Sequence, residues 1–148
     1  REGFRPFAPV VTKEAASRFF EIRERDEDAF AHMLYVAQVR PDYRELLPAV
    51  THVDHSARVQ TVSQENNPLF WLLLREFERL SGVPMLLNTS FNVKGQPIVR
   101  TPEEAVDTFL FARLDALAVG NFVAWAEAGE QLDRARQEST KKIGATLV

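Results

Sequence analysis

Residues 67–92 read N-P-L-F-W-L-L-L-R-E-F-E-R-L-S-G-V-P-M-L-L-N-T-S-F-N, and this stretch decides the fold class. Asn67 is a helix cap whose side-chain oxygen can take a free first-turn N–H, and Pro68 occupies the tolerated first helical position. Gly82 marks the end. Between them Phe70, Leu73, Leu74, Phe77 and Leu80 recur at three- and four-residue intervals. That spacing predicts an amphipathic helix with one buried stripe, and it leaves Arg75, Glu76, Glu78 and Arg79 mostly toward solvent. The aromatic residues in the stripe read as core packing rather than as a cofactor contact. Val83 to Leu87 then forms a short apolar strand that stops abruptly at Asn88-Thr89-Ser90-Phe91-Asn92.

Downstream, Pro97-Ile98-Val99 leads to Thr101-Pro102-Glu103-Glu104, a capping box with Pro at the first helical position. This predicts a helix to about Ala112 that buries Ala105, Val106, Phe109 and Leu110. Ala116 to Val119 and Phe122 to Trp125 flank Gly120-Asn121, a two-residue hairpin signal. Residues 127–148 form a polar tail, expected to be helical to about Glu138. Upstream, Phe7 to Val11 reads as a strand, and Thr12 can cap a helix through about Ile22 with Ala16, Phe19 and Phe20 on one face. Arg23 to Asp28 reads as an exposed turn. Met33 to Val39, Val50 to Val53 and Ala57 to Val62 read as further strands. The alternation predicts an α/β or α+β fold with a mixed sheet, because at least one hairpin is present. Strand order does not follow from these signals.

Composition bounds the rest. The chain has 148 residues, 45% hydrophobic, with 18 basic and 21 acidic side chains and no cysteine. That length suits one compact domain, which buries about 70% of its unfolded surface. Disulfide scaffolds, thiolate zinc sites and a cysteine nucleophile are excluded. A net charge of −3 supplies no field for nonspecific nucleic-acid binding. The longest apolar runs, such as Leu114 to Ala126, are interrupted and fall short of a membrane span, which takes about 20 residues. The chain opens without Met, in mid-pattern at Arg1-Glu2-Gly3-Phe4-Arg5-Pro6-Phe7, and reads as a piece of something larger.

Three segments could carry chemistry. Leu87 to Gly95 ends a strand in hydroxyls and amides followed by Lys94-Gly95. Such groups can orient an anionic ligand, and they also make ordinary turns; composition leaves both readings open. The two-glycine spacing of a Walker loop is missing. In Thr51 to Gln60, strand alternation would place Ser56, Arg58 and Gln60 on one side, and Arg58 in that apolar setting needs an anion, either a carboxylate or a substrate phosphate. His52, Asp54 and His55 invite a metal reading. Alternation sends the two histidines to opposite faces, however, and no third strong ligand lies nearby, so structural or substrate-orienting roles are favoured. Arg1 and Arg5 beside Pro6 could clamp a phosphate or be surface charges, and spacing does not decide. No Ser/His/Asp order forms a defensible triad, and Glu103-Glu104 serve the helix cap, so covalent catalysis is not expected.

REGFRPFAP at the start, THVDHSARVQTV, NNPLFWLLLREF and PMLLNTSFNVKGQPIVRTPEEAVDTF together resemble the C-terminal domain of the carbamoyltransferases, which include the nodulation and the antibiotic O-carbamoyltransferases. The likeness runs from Arg1 to about Trp125, and the order of the four blocks agrees. It implies a YrdC-like domain over residues 1–126, a twisted mixed sheet with flanking helices, in which Thr89-Ser90-Phe91-Asn92 echoes the Thr-Ser-x-Asn element of YrdC proteins. It further implies that the domain makes a carbamoyl-adenylate from carbamoyl phosphate and ATP. An N-terminal glycoprotease-like domain of the same protein would then pass the carbamoyl group to an acceptor hydroxyl.

By this resemblance Arg5 and Arg58 would bind phosphate or carboxylate oxygens, Ser90 would donate to the same oxyanions, and Asn88, Thr89 and Asn92 would shape the pocket. Arg58 and Ser90 are thus the expected catalytic pair. Mg2+ is expected with ATP, although no local carboxylate cluster identifies its ligands. The alternative is a non-catalytic nucleotide- or RNA-binding module of the same fold, against which the net charge and the lack of aromatic-basic interleaving weigh for RNA. A cytoplasmic location is expected, without membrane insertion, and apolar surface left by a missing partner domain would favour homodimers. Two positions depart from the family. Its usual Lys before the RE-x-FRP block would precede Arg1, and its usual Gly followed by Thr or Ser after HVD is here His55-Ser56.

Overall fold

A computed structural model describes residues 6–126, and these fall into two compact units that divide between Thr89 and Ser90. The first unit is organised by β1 (Ala8–Thr12), whose five residues are all buried. It is the central strand of a three-stranded sheet ordered β4-β1-β5. β4 (Gln60–Val62) runs parallel to it, pairing Val10 with Gln60 and Thr12 with Val62. β5 (Met85–Asn88) runs antiparallel, pairing Ala8 with Asn88 and Val10 with Leu86. The mixed sheet expected from sequence is therefore present, with helices packed against it.

α1 (Lys13–Phe19) follows β1 directly and is three residues shorter than its apolar spacing predicts. Phe20 leaves the helix in extended backbone and bridges Val39, while the Glu21 N–H donates to the Gln38 carbonyl. Phe19, Phe20, Ile22 and Val39 thereby enter one core with Val11, Val59 and Met85. Arg23–Asp28 is not simply an exposed turn. Glu24–Phe30 is a 3-10 helix, Glu27 is buried, and its carbonyl accepts from Thr61 Oγ1 at 2.7 Å.

The middle of the chain departs most from its pattern. Of Met33–Val39 only β2 (Ala37–Gln38) is strand, and Leu34, Tyr35 and Val36 are exposed. Val50–Val53 forms no strand: the chain closes a tight loop in which the His52 N–H donates to the Ser56 carbonyl, leaving Val53 98% exposed. Ala57–Val62 splits into two strands. β3 (Ser56–Ala57) pairs with β2, whereas β4 belongs to the sheet of β1, so the chain changes sheets at Arg58-Val59.

α2 (Pro68–Ser81) has the expected ends. Asn67 accepts from the Phe70 N–H at 3.2 Å, and Gly82, at φ +79°, returns its N–H to the Glu78 carbonyl. Its apolar stripe is only partly buried, however. Leu74 is fully buried with Val10 and Val62, and Phe70 and Trp71 pack beside it, but Leu73 and Leu80 are exposed. The sheet offers three strands to this helix, and Leu74 is its one fully covered residue.

The second unit holds α3 (Pro102–Ala112) and a hairpin of β6 (Ala116–Val119) and β7 (Phe122–Trp125). Thr101 Oγ1 accepts from the Glu104 N–H, and the Glu104 carboxylate reaches back to the Arg100 N–H at 2.8 Å. The capping box is thus closed one residue upstream of its usual return partner. Ala105, Phe109 and Leu117 form the small core with Phe91 and Val99, while Val106 is exposed and Leu110 half-buried. Gly120 opens the hairpin loop at φ +57°. The expected tail helix and the opening Arg1 and Arg5 lie outside the described residues. No helix among the described residues is long and apolar enough to cross a membrane.

Candidate functional site

Strand register brings several of the singled-out residues of the first unit to one end of its sheet. β1 begins at Ala8, β4 runs parallel to it from Gln60, and antiparallel β5 ends at Asn88. Arg58, two residues before β4, and Asn88-Thr89 therefore share that end, and it is also where the chain enters β1. Arg58 is exposed and forms no hydrogen bond or ion pair among the described residues. Of the two anions expected for it, a carboxylate or a substrate phosphate, no carboxylate pairs with it among the described residues, and its setting is solvent rather than apolar. An exposed, uncommitted guanidinium is a bidentate donor to oxyanions.

Asn88 is half-buried at the end of β5. Its Nδ2 donates to Gln60 Oε1, and Gln60 Nε2 donates to the Ala31 carbonyl at 3.1 Å. Alternation puts Gln60 beside Arg58, but its two partners lie 28 and 29 residues away in sequence, beyond the reach of any local pattern. Thr89 is exposed. Ser56 does not share the side of Arg58 and Gln60 as an open donor: it is buried, and its hydroxyl and N–H both donate to Asp54 Oδ1, at 2.7 and 3.0 Å. Those two bonds, the hydroxyl first, hold the Asp54 carboxyl below its ordinary pKa.

The loop before Ser56 explains one departure from the resembled family. His55 has φ +64°, in the left-handed region that glycine adopts without strain. Its N–H donates to the His52 carbonyl and its carbonyl accepts from the Val39 N–H, so the backbone is held on both sides. The side chain is exposed. No group of three potential metal ligands occurs among the described residues.

Ser90 and Asn92 open the second unit, where their segment forms a hydrogen-bonded turn. Ser90 Oγ donates to Asn92 Oδ1 at 2.6 Å, and Asn92 Nδ2 donates to the Gln96 carbonyl at 2.9 Å. Gly95 turns the chain at φ +87°, and the Val99 N–H returns to the Phe91 carbonyl. Ser90 and Lys94 are exposed on this turn.

The opposite end of the first sheet carries a cleft of about 510 Å³ lined by Lys13, Glu14, Glu27, Ser63, Gln64 and Glu65. Three carboxylates against one lysine repel a polyanion, and Lys13 is already paired with Asp28 at 2.7 Å. The Arg58 end is the better anion site.

These features define a mixed α/β protein with an uncommitted arginine and oriented amides at one sheet end. The chain belongs to the family described as carbamoyltransferase C-terminus, whose profile matches residues 1–125. It is 49% identical over 123 residues to the nodulation protein NolNO of Sinorhizobium fredii, which covers 83% of this chain and 18% of that protein. It is 42% identical over 154 residues to the uncharacterized protein sll1178 of Synechocystis, covering 90% of this chain and 24% of that one. An archaeal relative, the uncharacterized protein MJ1058 of Methanocaldococcus jannaschii, is 34% identical over 83% of this chain and 20% of its own length. The chain thus spans about a fifth of the length of these curated relatives.

Proposed function

We propose that this chain is the adenylate-forming, YrdC-like part of an O-carbamoyltransferase. The observation that carries the reading is Arg58, exposed and uncommitted at the same sheet end as Asn88, in a chain of the carbamoyltransferase C-terminus family. The chemistry balances with one water: carbamoyl phosphate is hydrolysed to carbamate and phosphate, and a carbamate oxygen attacks the α-phosphorus of ATP. The bond to the β-phosphate oxygen breaks, and pyrophosphate leaves. Charge builds on the phosphoryl oxygens, which is where fixed cationic donors accelerate such a step.

In this reading Arg58 and Arg5 bind the phosphate oxygens, and Asn88 and Thr89 shape the pocket; in the second unit the Ser90 hydroxyl and the Asn92 amide are further candidates for contact with oxyanions. Mg2+ is expected with ATP and would neutralise charge on its phosphates, with few ligands asked of the protein. A glycoprotease-like domain of a longer polypeptide completes transfer to an acceptor hydroxyl, consistent with relatives of which this chain spans about a fifth. Both substrates are intracellular metabolites, which assigns the reaction to the cytoplasm.

The test is ATP–pyrophosphate exchange dependent on carbamoyl phosphate, run on the full-length polypeptide with and without Arg58→Ala. A drop of about 10²-fold or more is expected for the variant. Unchanged exchange would remove Arg58 from this role, and ATP binding with no exchange in the wild type would leave only a nucleotide-binding module.

A further inference from the structure

We infer that Gln60 is a positioning residue that turns the Asn88 side chain so that its Oδ1 accepts a hydrogen bond from the ligand's N–H, selecting a carbamoyl group over an acyl group of the same shape. The inference rests on the proposed function and specifies how that site distinguishes its small substrate.

The orientation follows from hydrogen-bond logic. The Ala31 carbonyl, just past the 3-10 helix Glu24–Phe30, can only accept. Gln60 must therefore point its NH2 group at Ala31, which it does at 3.1 Å, and its Oε1 is left to face Asn88. An amide oxygen can only accept in turn, so Asn88 must offer its Nδ2 there. Two forced choices in sequence fix the Asn88 amide, and its carbonyl oxygen is the atom left over. Asn88 is half-buried, and that Oδ1 has no hydrogen-bond partner among the described residues.

The register makes the relay possible. Ala8 pairs with Asn88 on one side of β1, and Val10 pairs with Gln60 on the other, so all four side chains share one face of the sheet. Ala8 is buried between the two amides, and its methyl group leaves them room to meet across the central strand. Two strands that never touch each other are thus joined by side chains.

The chemical consequence is a pairing of opposite demands at one sheet end. Arg58 supplies donors for anionic oxygens, and Asn88 Oδ1 supplies an acceptor, which an oxyanion cannot use. A ligand that satisfies both carries an N–H donor next to an anionic group. Carbamoyl phosphate does so. Acetyl phosphate, with a methyl in place of the NH2, would leave the Asn88 acceptor unpaired once the site closes over it.

Phosphonoacetamide and acetonylphosphonate are stable ligands that differ only by NH2 against CH3, and both can be titrated calorimetrically into the full-length polypeptide. The wild type is expected to bind the amide about fivefold more tightly, the value of one neutral hydrogen bond. Gln60→Met, which keeps side-chain length but removes the relay, should bring the two affinities within about twofold while leaving acetonylphosphonate binding unchanged. Asn88→Ala removes the acceptor itself, leaves the bond from Gln60 to Ala31 intact, and should give the same loss of preference. A wild-type preference that survives both variants overturns the inference while leaving the proposed function standing. Failure of the wild type to bind either ligand overturns both.

Discussion

Asn88 and Gln60 hydrogen-bond to each other across β1, above Ala8, and so tie together the two strands that flank the centre of the sheet. The contact depends on the smallness of Ala8, which is 3% exposed beneath it. Ala8→Leu adds three carbons to a filled space and should destabilise the chain by about 1–3 kcal/mol. Urea denaturation measures this directly. A Leu accepted at no cost would mean that the space under the amides is larger than the packing shows.

His55 sits at φ +64° with both backbone polar groups engaged, and its side chain is exposed. Its imidazole therefore contributes little, whereas its Cβ strains the turn. His55→Gly should raise stability by about 0.5–1 kcal/mol, net of the extra freedom glycine has in the unfolded chain. His55→Ala keeps a Cβ and should gain nothing, so the difference between the two variants isolates the backbone term. Equal stabilities for Gly and Ala would refute the strain argument.

Thr12 occupies the N-cap position of α1 without capping it, and its fully buried Oγ1 has no hydrogen-bond partner among the described residues. A buried hydroxyl that gives up water without gaining a partner opposes folding. Thr12→Val preserves the shape and the β-branch, removes the unpaired group, and should stabilise by about 1 kcal/mol. A loss of stability on thermal unfolding would show that the hydroxyl finds a partner after all.

Local chemistry made much of the fold legible. Asn67, Pro68 and Gly82 bound α2, Thr101 caps α3, and Gly120-Asn121 turns the hairpin, because each acts within four residues of its own position. The failures share a different cause. Leu34, Tyr35 and Val36 have strand-forming side chains but no strand beside them, and β-propensity expresses little without a partner. Ala57–Val62 looks continuous because nothing in its composition marks the change of sheet at Arg58-Val59. The site divides the same way. Arg58 and the Asn88 segment stand out by residue type alone, but their common end of the sheet follows from one parallel and one antiparallel register. The role of Gln60 is not legible in the sequence because both of its contacts are long-range.

Acid should weaken this chain through carboxylates that the fold uses as acceptors. Ser56 donates twice to Asp54, the Arg100 N–H and then its guanidinium stabilise ionised Glu104, and Glu103 is held down by its own N–H and by Thr101. All three carboxyls have folded pKa values below their ordinary ones. The unfolded chain therefore binds protons first as pH falls, and the stabilisation is present above the unfolded values and lost through the folded ones, below about pH 5. Lys13 has the opposite sign: Asp28 raises it, so its contribution persists through neutral pH and disappears only in strong alkali. Urea midpoints should be flat from about pH 6 to 9 and fall toward pH 3. Asp54→Asn should lower the midpoint at pH 7, because the Ser56 pair loses a charged acceptor, and should make the acid limb shallower. An acid limb as steep as that of the wild type would show that Asp54 carries none of the pH dependence.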